Sequence, residues 1–251
     1  MDLTKRGWGR RHWLPLIHRK PLPLGDVGPV VTFSFDDFPR TAYTEGGRLL
    51  KEYGARGTYY AAPGLMNSTT PLGEHFLQDD LYSLVGEGHE LASHTYHHIS
   101  SHASSVSEFL CDVREGYLAL RRCAGGMVSR NFAYPQGAVT VQAKAAVGIE
   151  MLSCRGNYHG VNGRIVDLSL LRANPLYSST GHADSIVQLI ETNEAVRGWL
   201  IFYTHDVCAF PSQYGCTPSL LETAIKSALA RSMAIMTVAD VLTSTSLGKS
   251  V

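Results

Sequence analysis

No stretch of the 251 residues approaches the roughly 18 consecutive apolar residues that a membrane-spanning helix requires. An excess of one charge is missing too. Lys and Arg number 22, as do Asp and Glu, so no global field draws the chain to nucleic acid, and no such partner is expected. Cysteine is sparse and poorly placed for scaffolding. Cys111, Cys123, Cys154, Cys208 and Cys216 are odd in number and contain no close Cys-x-x-Cys pair. That excludes a disulfide framework and a zinc-finger cluster, leaving small buried apolar residues as their expected role. The N-terminus shows no apolar run ending in a small-residue cleavage site, so the expected location is the cytoplasm.

What the chain does have is ordinary globular composition, with 44% hydrophobic and 18% charged residues, and enough length for one large core. Its positive charge is uneven. Lys5, Arg6, Arg10, Arg11, Arg19 and Lys20 face only Asp2 at the N-terminal end, where Pro15, Pro21, Pro23, Gly25 and Gly28 break any regular period. Residues 1–28 therefore read as an irregular basic arm packing on a single domain, 29–251. Trp8 and Trp13 in the arm could touch a membrane surface or an acidic glycolipid.

Beyond the arm, short β-rich runs (30–35, 57–61, 89–93, 131–134, 150–153, 165–171, 199–203 and 234–237) alternate with helical patterns (41–53, 74–85, 105–123, 183–196 and one after Pro218). The alternation predicts parallel β/α units, and their number fits a closed barrel better than a small open sheet. In such barrels functional groups gather at the C-terminal ends of the strands. Asp36 and Asp37 directly follow the first run, His94 and His98 follow Glu90-Leu-Ala-Ser, and His205 and Asp206 follow Trp199-Leu-Ile-Phe-Tyr-Thr. On a helical turn, His94 and His98 would present both rings to one side. Two imidazoles and a carboxylate are a common ligand set for zinc or a similar divalent ion. Because successive strand side chains alternate, one of two adjacent carboxylates can bind the ion while its neighbour faces the water it activates.

Five segments in matching order, from about Val30 to Leu242, resemble the polysaccharide deacetylases of carbohydrate esterase family 4, which act on chitin, chitooligosaccharides, peptidoglycan and xylan. They are Thr32-Phe-Ser-Phe-Asp-Asp37, Gly57-Thr-Tyr-Tyr60, Gly88-His-Glu-Leu-Ala-Ser-His-Thr-Tyr-His-His98, Phe132-Ala-Tyr-Pro-Gln-Gly137 and Ile201-Phe-Tyr-Thr-His205. The third of these is the most specific. The resemblance implies a distorted parallel (β/α) barrel of seven or eight strands and a divalent metal, zinc first, with cobalt, nickel or manganese as alternatives. It implies Asp37, His94 and His98 as ligands, Asp36 as general base, His205 as general acid and the Gln136 backbone N–H as an oxyanion donor. The substrate it implies is an N-acetylated saccharide, expected during assembly of a surface polysaccharide, lipopolysaccharide or oligosaccharide.

The chain departs from the family pattern in four places, one of them Gln136, which stands where the family usually has Tyr and leaves a backbone donor intact. Phe38-Pro39 replaces the glycine after the aspartate pair, setting a bulky ring at the rim; Phe38, Tyr134 and Pro135 are expected to line the substrate pocket. The third-motif arginine that holds the base aspartate is Ala133 here, and Arg172, in preference to Arg130, is expected to substitute. The segment that orients the acid histidine in many relatives has no counterpart, which leaves Asp167 or Asp206 for that task. Two alternatives keep the fold: an amidohydrolase of a small non-sugar amide, and an inactive carbohydrate-binding homologue. The intact set of Asp36, Asp37, His94, His98 and His205 argues against the second.

Overall fold

The run Val30-Val-Thr-Phe-Ser-Phe-Asp36 alternates in a way that sets the architecture. Val31, Phe33 and Phe35 point into the largest apolar cluster, which the surrounding helices cover, while Thr32, Ser34 and Asp36 take the opposite face. In the computed structural model, which describes residues 13–180 and 183–245, this run is β1 (Val30–Asp36). The sheet adds β2 (Thr58–Ala61), β3 (Glu90–Ser93), β4 (Asn131–Ala133), β5 (Ser153–Arg155), β6 (Asn174–Pro175) and β7 (Trp199–Thr204) in the order β6-β7-β1-β2-β3-β4-β5, with β8 (Ala234–Ile235) also paired to β1. All pairs are parallel. The curled sheet closes loosely, because Leu171, just before β6, bridges in parallel to Arg155 at the far edge.

Helices cover the outside. A π-helix, Ala42–Gly47, runs into α1 (Arg48–Glu52), followed by α2 (Gln78–Gly86), α3 (Val106–Cys123), α4 (Val141–Glu150), α5 (Ala183–Val196), α6 (Pro218–Leu229) and α7 (Val238–Ser244). Aromatic stacking knits this layer, as where Phe35 meets Tyr59 at a centroid separation of 4.6 Å. Each such buried ring is worth about 1.5–3 kcal/mol over exposure. Among the described residues no helix is long and apolar enough to cross a membrane.

Inside the curl, polar groups such as Thr32 and Ser34 stand beside Trp199, Ile201 and Tyr203. Glu90 lies at the N-terminal end of β3, and its buried carboxylate accepts from Thr58 Oγ1 (2.9 Å), Ser129 Oγ (2.5 Å), Asn131 Nδ2 (2.6 Å) and the Ala239 N–H (2.9 Å). His89 Nδ1 accepts the Gly57 N–H at 3.0 Å. Gly88-His-Glu90, part of the most specific motif, is thus scaffolding that fixes the base of β3 against β2, β4 and α7. His94 and His98 follow the other end of the same strand.

Several sequence expectations need correction. The run 165–171 supplies only Ile165–Asp167, which pairs antiparallel with Pro21–Pro23 outside the main sheet. The strand expected at 150–153 begins three residues later, because Glu150 closes α4. Neither α4 nor α7 was anticipated. Only Cys154 and Cys216 are buried; Cys111 is exposed, and all five cysteines are free.

The described part of the arm packs on the domain. Leu14, Leu22 and Leu24 are buried, and the fully buried Lys144 donates to Leu14 O (2.9 Å), Ile17 O (2.8 Å) and Asp167 Oδ2 (2.7 Å). Trp13 is 67% exposed; Trp8 and the basic residues from Lys5 to Arg11 lie outside the described residues.

Candidate metal centre and active site

Asp36 is the last residue of β1, and strand alternation turns it inward. Asp37 leaves the strand at φ 60°, followed by Phe38 at φ 57°. This left-handed turn brings the second carboxylate back over the same opening, so both adjacent aspartates reach one site where a continuing strand would have sent them apart. Left-handed φ costs a non-glycine residue about 1–3 kcal/mol. Phe38 is held there by core packing: it is fully buried, 5.0 Å from the rings of both Tyr59 and Phe76. The expected place of Phe38 at the substrate rim is therefore wrong. Tyr134 is likewise a core residue, packed against Phe109 and Phe132, and Pro135 beside it is buried.

His94 and His98 follow β3 in a loop, not on the expected helical turn, and left-handed residues at Thr95 (φ 64°) and His98 (φ 55°) fold that loop back. The rings meet at a centroid separation of 5.0 Å. Asp112 on α3 anchors the loop, accepting the N–H groups of Tyr96 and His97 at 3.0 Å each and the His97 ring at 2.6 Å. Those bonds occupy Asp112 in the outer grouping of His97, Asp112 and Glu115, the other place where such residues converge among the described residues. Gly116 lets α3 pass beneath the loop, since a Cβ there would lie 2.4 Å from the Thr95 carbonyl. Gly116→Ala must push the loop outward; isothermal titration is expected to show divalent-cation affinity weakened at least about tenfold.

The expected convergence is found. His98 Nε2 lies 3.0 Å and His94 Nε2 3.5 Å from Asp37 Oδ1. Asp37 Oδ1 is buried and has no hydrogen-bond partner among the described residues. His94 Nδ1 contacts Ala133 O at 2.8 Å; a carbonyl only accepts, so Nδ1 carries the proton and the Nε2 lone pair faces Asp37. Burial pushes His94 down to about 3 and lowers His98, keeping both rings neutral. Burial pushes the Asp37 carboxyl up to about 6, against the pull of His205. Two neutral imidazoles and a buried carboxylate oxygen, none donating to another, are what a cation would bring into balance. Ligands about 2.1 Å from one tetrahedral ion lie about 3.4 Å apart, which the observed spacings fit. His75 fixes the turn behind them, its Nδ1 3.1 Å from Asp37 O and its Nε2 2.9 Å from Thr70 Oγ1.

Asp36 is held by Arg155, whose Nη2 lies 2.5 Å from both carboxylate oxygens. The guanidinium sits between the rings of Tyr60 (5.1 Å) and Tyr203 (4.9 Å). Burial alone would raise the Asp36 carboxyl; Arg155, with His94 and His205, outweighs it and holds the pKa below its ordinary value. Arg172 does not take this place, because it is exposed and donates to His159 O. Arg130 donates to Glu150 O, away from Asp36. Sequence reasoning missed Arg155 because the strand was placed three residues early; in the correct register Arg155 shares the inward face of β5 with Ser153.

His205 Nε2 lies 3.9 Å from Asp37 Oδ2, and its Nδ1 is 3.2 Å from Tyr214 O. Asp167, expected as a partner, is committed elsewhere, to Lys144, the Lys20 N–H and the Ser169 N–H. Gln136 adopts φ 59° in the exposed turn after β4.

A family model described as polysaccharide deacetylase matches residues 26–151. No curated protein matches the sequence. Three solved structures share the fold at low identity. A chitin deacetylase from Colletotrichum lindemuthianum is 18% identical, with 88% of this chain and 89% of that chain covered and a TM-score of 0.61. A family 4 acetyl xylan esterase from Clostridium thermocellum, in complex with a cobalt ion, is 18% identical over 85% and 90%, with a TM-score of 0.61. Peptidoglycan deacetylase PdaC from Bacillus subtilis is 15% identical over 86% and 91%, with a TM-score of 0.55. With half of its length matched by the family model and the strand ends carrying the family's motifs in order, the chain belongs to the polysaccharide deacetylase family, hydrolases acting on non-peptide carbon–nitrogen bonds.

Proposed function

We propose that the protein removes N-acetyl groups from an acetylated saccharide in a reaction that depends on a divalent cation, zinc first among the candidates. The observation that carries this reading is the pairing of two adjacent carboxylates in unlike environments: Asp37 faces two neutral imidazoles, and Asp36 faces a guanidinium. Asp37, His94 and His98 would hold the ion. The chemistry such an ion supplies is polarisation of the acyl carbonyl and a lowered pKa for water.

The remaining work falls to the side chains. Asp36, kept ionised by Arg155, is placed to take a proton from the attacking water. Loss of the amine requires a proton on nitrogen, which His205 Nε2–H is placed to give while Nδ1–H stays on Tyr214 O. The Gln136 N–H is the proposed backbone donor to the tetrahedral oxyanion. The chitin and peptidoglycan deacetylases among the structural neighbours favour an acetamido sugar over a small amide.

Acetate release from N-acetylated chitooligosaccharides tests this directly. Activity should fall by at least about 100-fold on chelation and return with added Zn²⁺ or Co²⁺. Full activity in protein demonstrably stripped of metal refutes the cation-dependent reading.

A further inference from the structure

We infer that Asp206 is a positioning residue for the acid step: through the loop 206–216 it holds the Tyr214 carbonyl against His205 Nδ1. This rests on the deacetylation proposed above. Asp206 follows His205 directly, yet its carboxylate turns away from the histidine. It is buried and accepts from the Ser212 N–H at 2.7 Å and from Ser212 Oγ at 2.6 Å. Ser212 Oγ in turn accepts the Tyr214 N–H at 3.2 Å. The Asp206 carbonyl accepts the Cys216 N–H at 2.9 Å. Gly215 passes so close that a Cβ would lie 2.4 Å from Asp206 Oδ1. The loop is thereby wrapped around one carboxylate.

The product of that wrapping is one carbonyl oxygen with two tasks. Tyr214 O accepts the His205 backbone N–H at 3.1 Å and stands 3.2 Å from His205 Nδ1. A carbonyl cannot donate, so it fixes the proton on Nδ1 and aims Nε2 toward Asp37 Oδ2, 3.9 Å away. As the C–N bond breaks, its electron pair goes to the departing nitrogen, which takes the Nε2 proton of the His205 imidazolium and leaves the ring neutral with its proton on Nδ1; water supplies the oxygen of the released acetate and gives one proton to Asp36. A misaimed ring fails first at this proton transfer, and touches the earlier water attack only through its weaker charge effect on Asp36 and Asp37.

That selectivity separates positioning from general support. An acetamido sugar needs its leaving nitrogen protonated, whereas 4-nitrophenyl acetate expels a stable phenolate without an acid. For Asp206→Ala, kcat on N-acetylated chitooligosaccharide is expected to fall about 100-fold, with KM within about threefold. On the aryl ester kcat should fall less than about fivefold. Asp206→Asn, whose amide oxygen can accept the Ser212 N–H and whose NH₂ can donate to Ser212 Oγ, should recover most of the amide activity. If Asp206→Ala does not fold, Ser212→Ala carries the same comparison, with an amide-selective loss of about tenfold. Equal losses on both substrates, or an unchanged amide rate in a folded variant, overturn the inference. A wild-type protein inactive on both substrates would remove the deacetylation reading itself, and is recognised because no variant is involved.

Discussion

Asparagine in place of Asp36 is expected to lower kcat by about 10³- to 10⁴-fold, with KM changed little. Asparagine matches aspartate in shape but cannot take a proton from water. The proposed ligands Asp37, His94 and His98 are all retained, so cation content should stay near the wild-type level. The substitution also leaves the buried Arg155 guanidinium without its counter-charge, so a lower melting temperature is expected alongside the kinetic loss. Measuring rate, melting and bound cation on one preparation separates these effects. Retention of more than about a tenth of wild-type kcat would exclude Asp36 as the base.

Arg155→Met carries the second large effect. Removing one partner of a buried ion pair costs about 3–5 kcal/mol, which lowers the melting temperature of a chain this size by roughly 10 °C. Its pH dependence has a definite sign. In the wild type the folded pKa of Asp36 is depressed, so the pair's stabilisation is full above the ordinary carboxylate pKa of about 4 and is lost as pH falls through the lower folded value. Without Arg155, burial dominates and raises the folded pKa. The variant's carboxyl is then most compatible with folding when protonated, and its stability falls as pH rises. The melting difference between the two proteins should therefore widen from about pH 3 to pH 7. A constant difference across that range contradicts the assignment of Arg155 to Asp36.

The ends of β1 and β7 were legible because long β-rich runs stop abruptly at ionisable residues, and that of β3 because a short strand, Glu90–Ser93, runs straight into two histidines four apart. That pattern alone located Asp36, Asp37, His94, His98 and His205, and the ordered motifs supplied their roles. What the pattern could not carry was backbone reversal. Alternation sends Asp36 and Asp37 apart, and only the left-handed turn at Asp37 and Phe38 gathers them. The same turn draws Phe38 into the core, so a residue read as a rim becomes a wedge. Helix α4 escaped notice because its buried face is narrow, with Ala143 and Val147 beside a lysine buried for the sake of the arm. Once α4 was missed, β5 slid toward the N-terminus and Arg155 fell outside any strand. Thr237 was read as the end of a strand, although its side chain caps α7 by accepting the Asp240 N–H. At α4 the local signal is overruled by a contact from a distant part of the chain, and at Thr237 by a cap three residues away.

The claim on which the rest depends is that Asp37, His94 and His98 grip one divalent cation together. Elemental analysis after Zn²⁺ loading and desalting tests it, comparing the wild type with His94→Ala and Asp37→Ala variants that keep wild-type circular dichroism. About one ion per wild-type chain is predicted, falling below about one tenth in both variants. Variants that keep a full equivalent, or a folded wild type that holds none, would contradict the account.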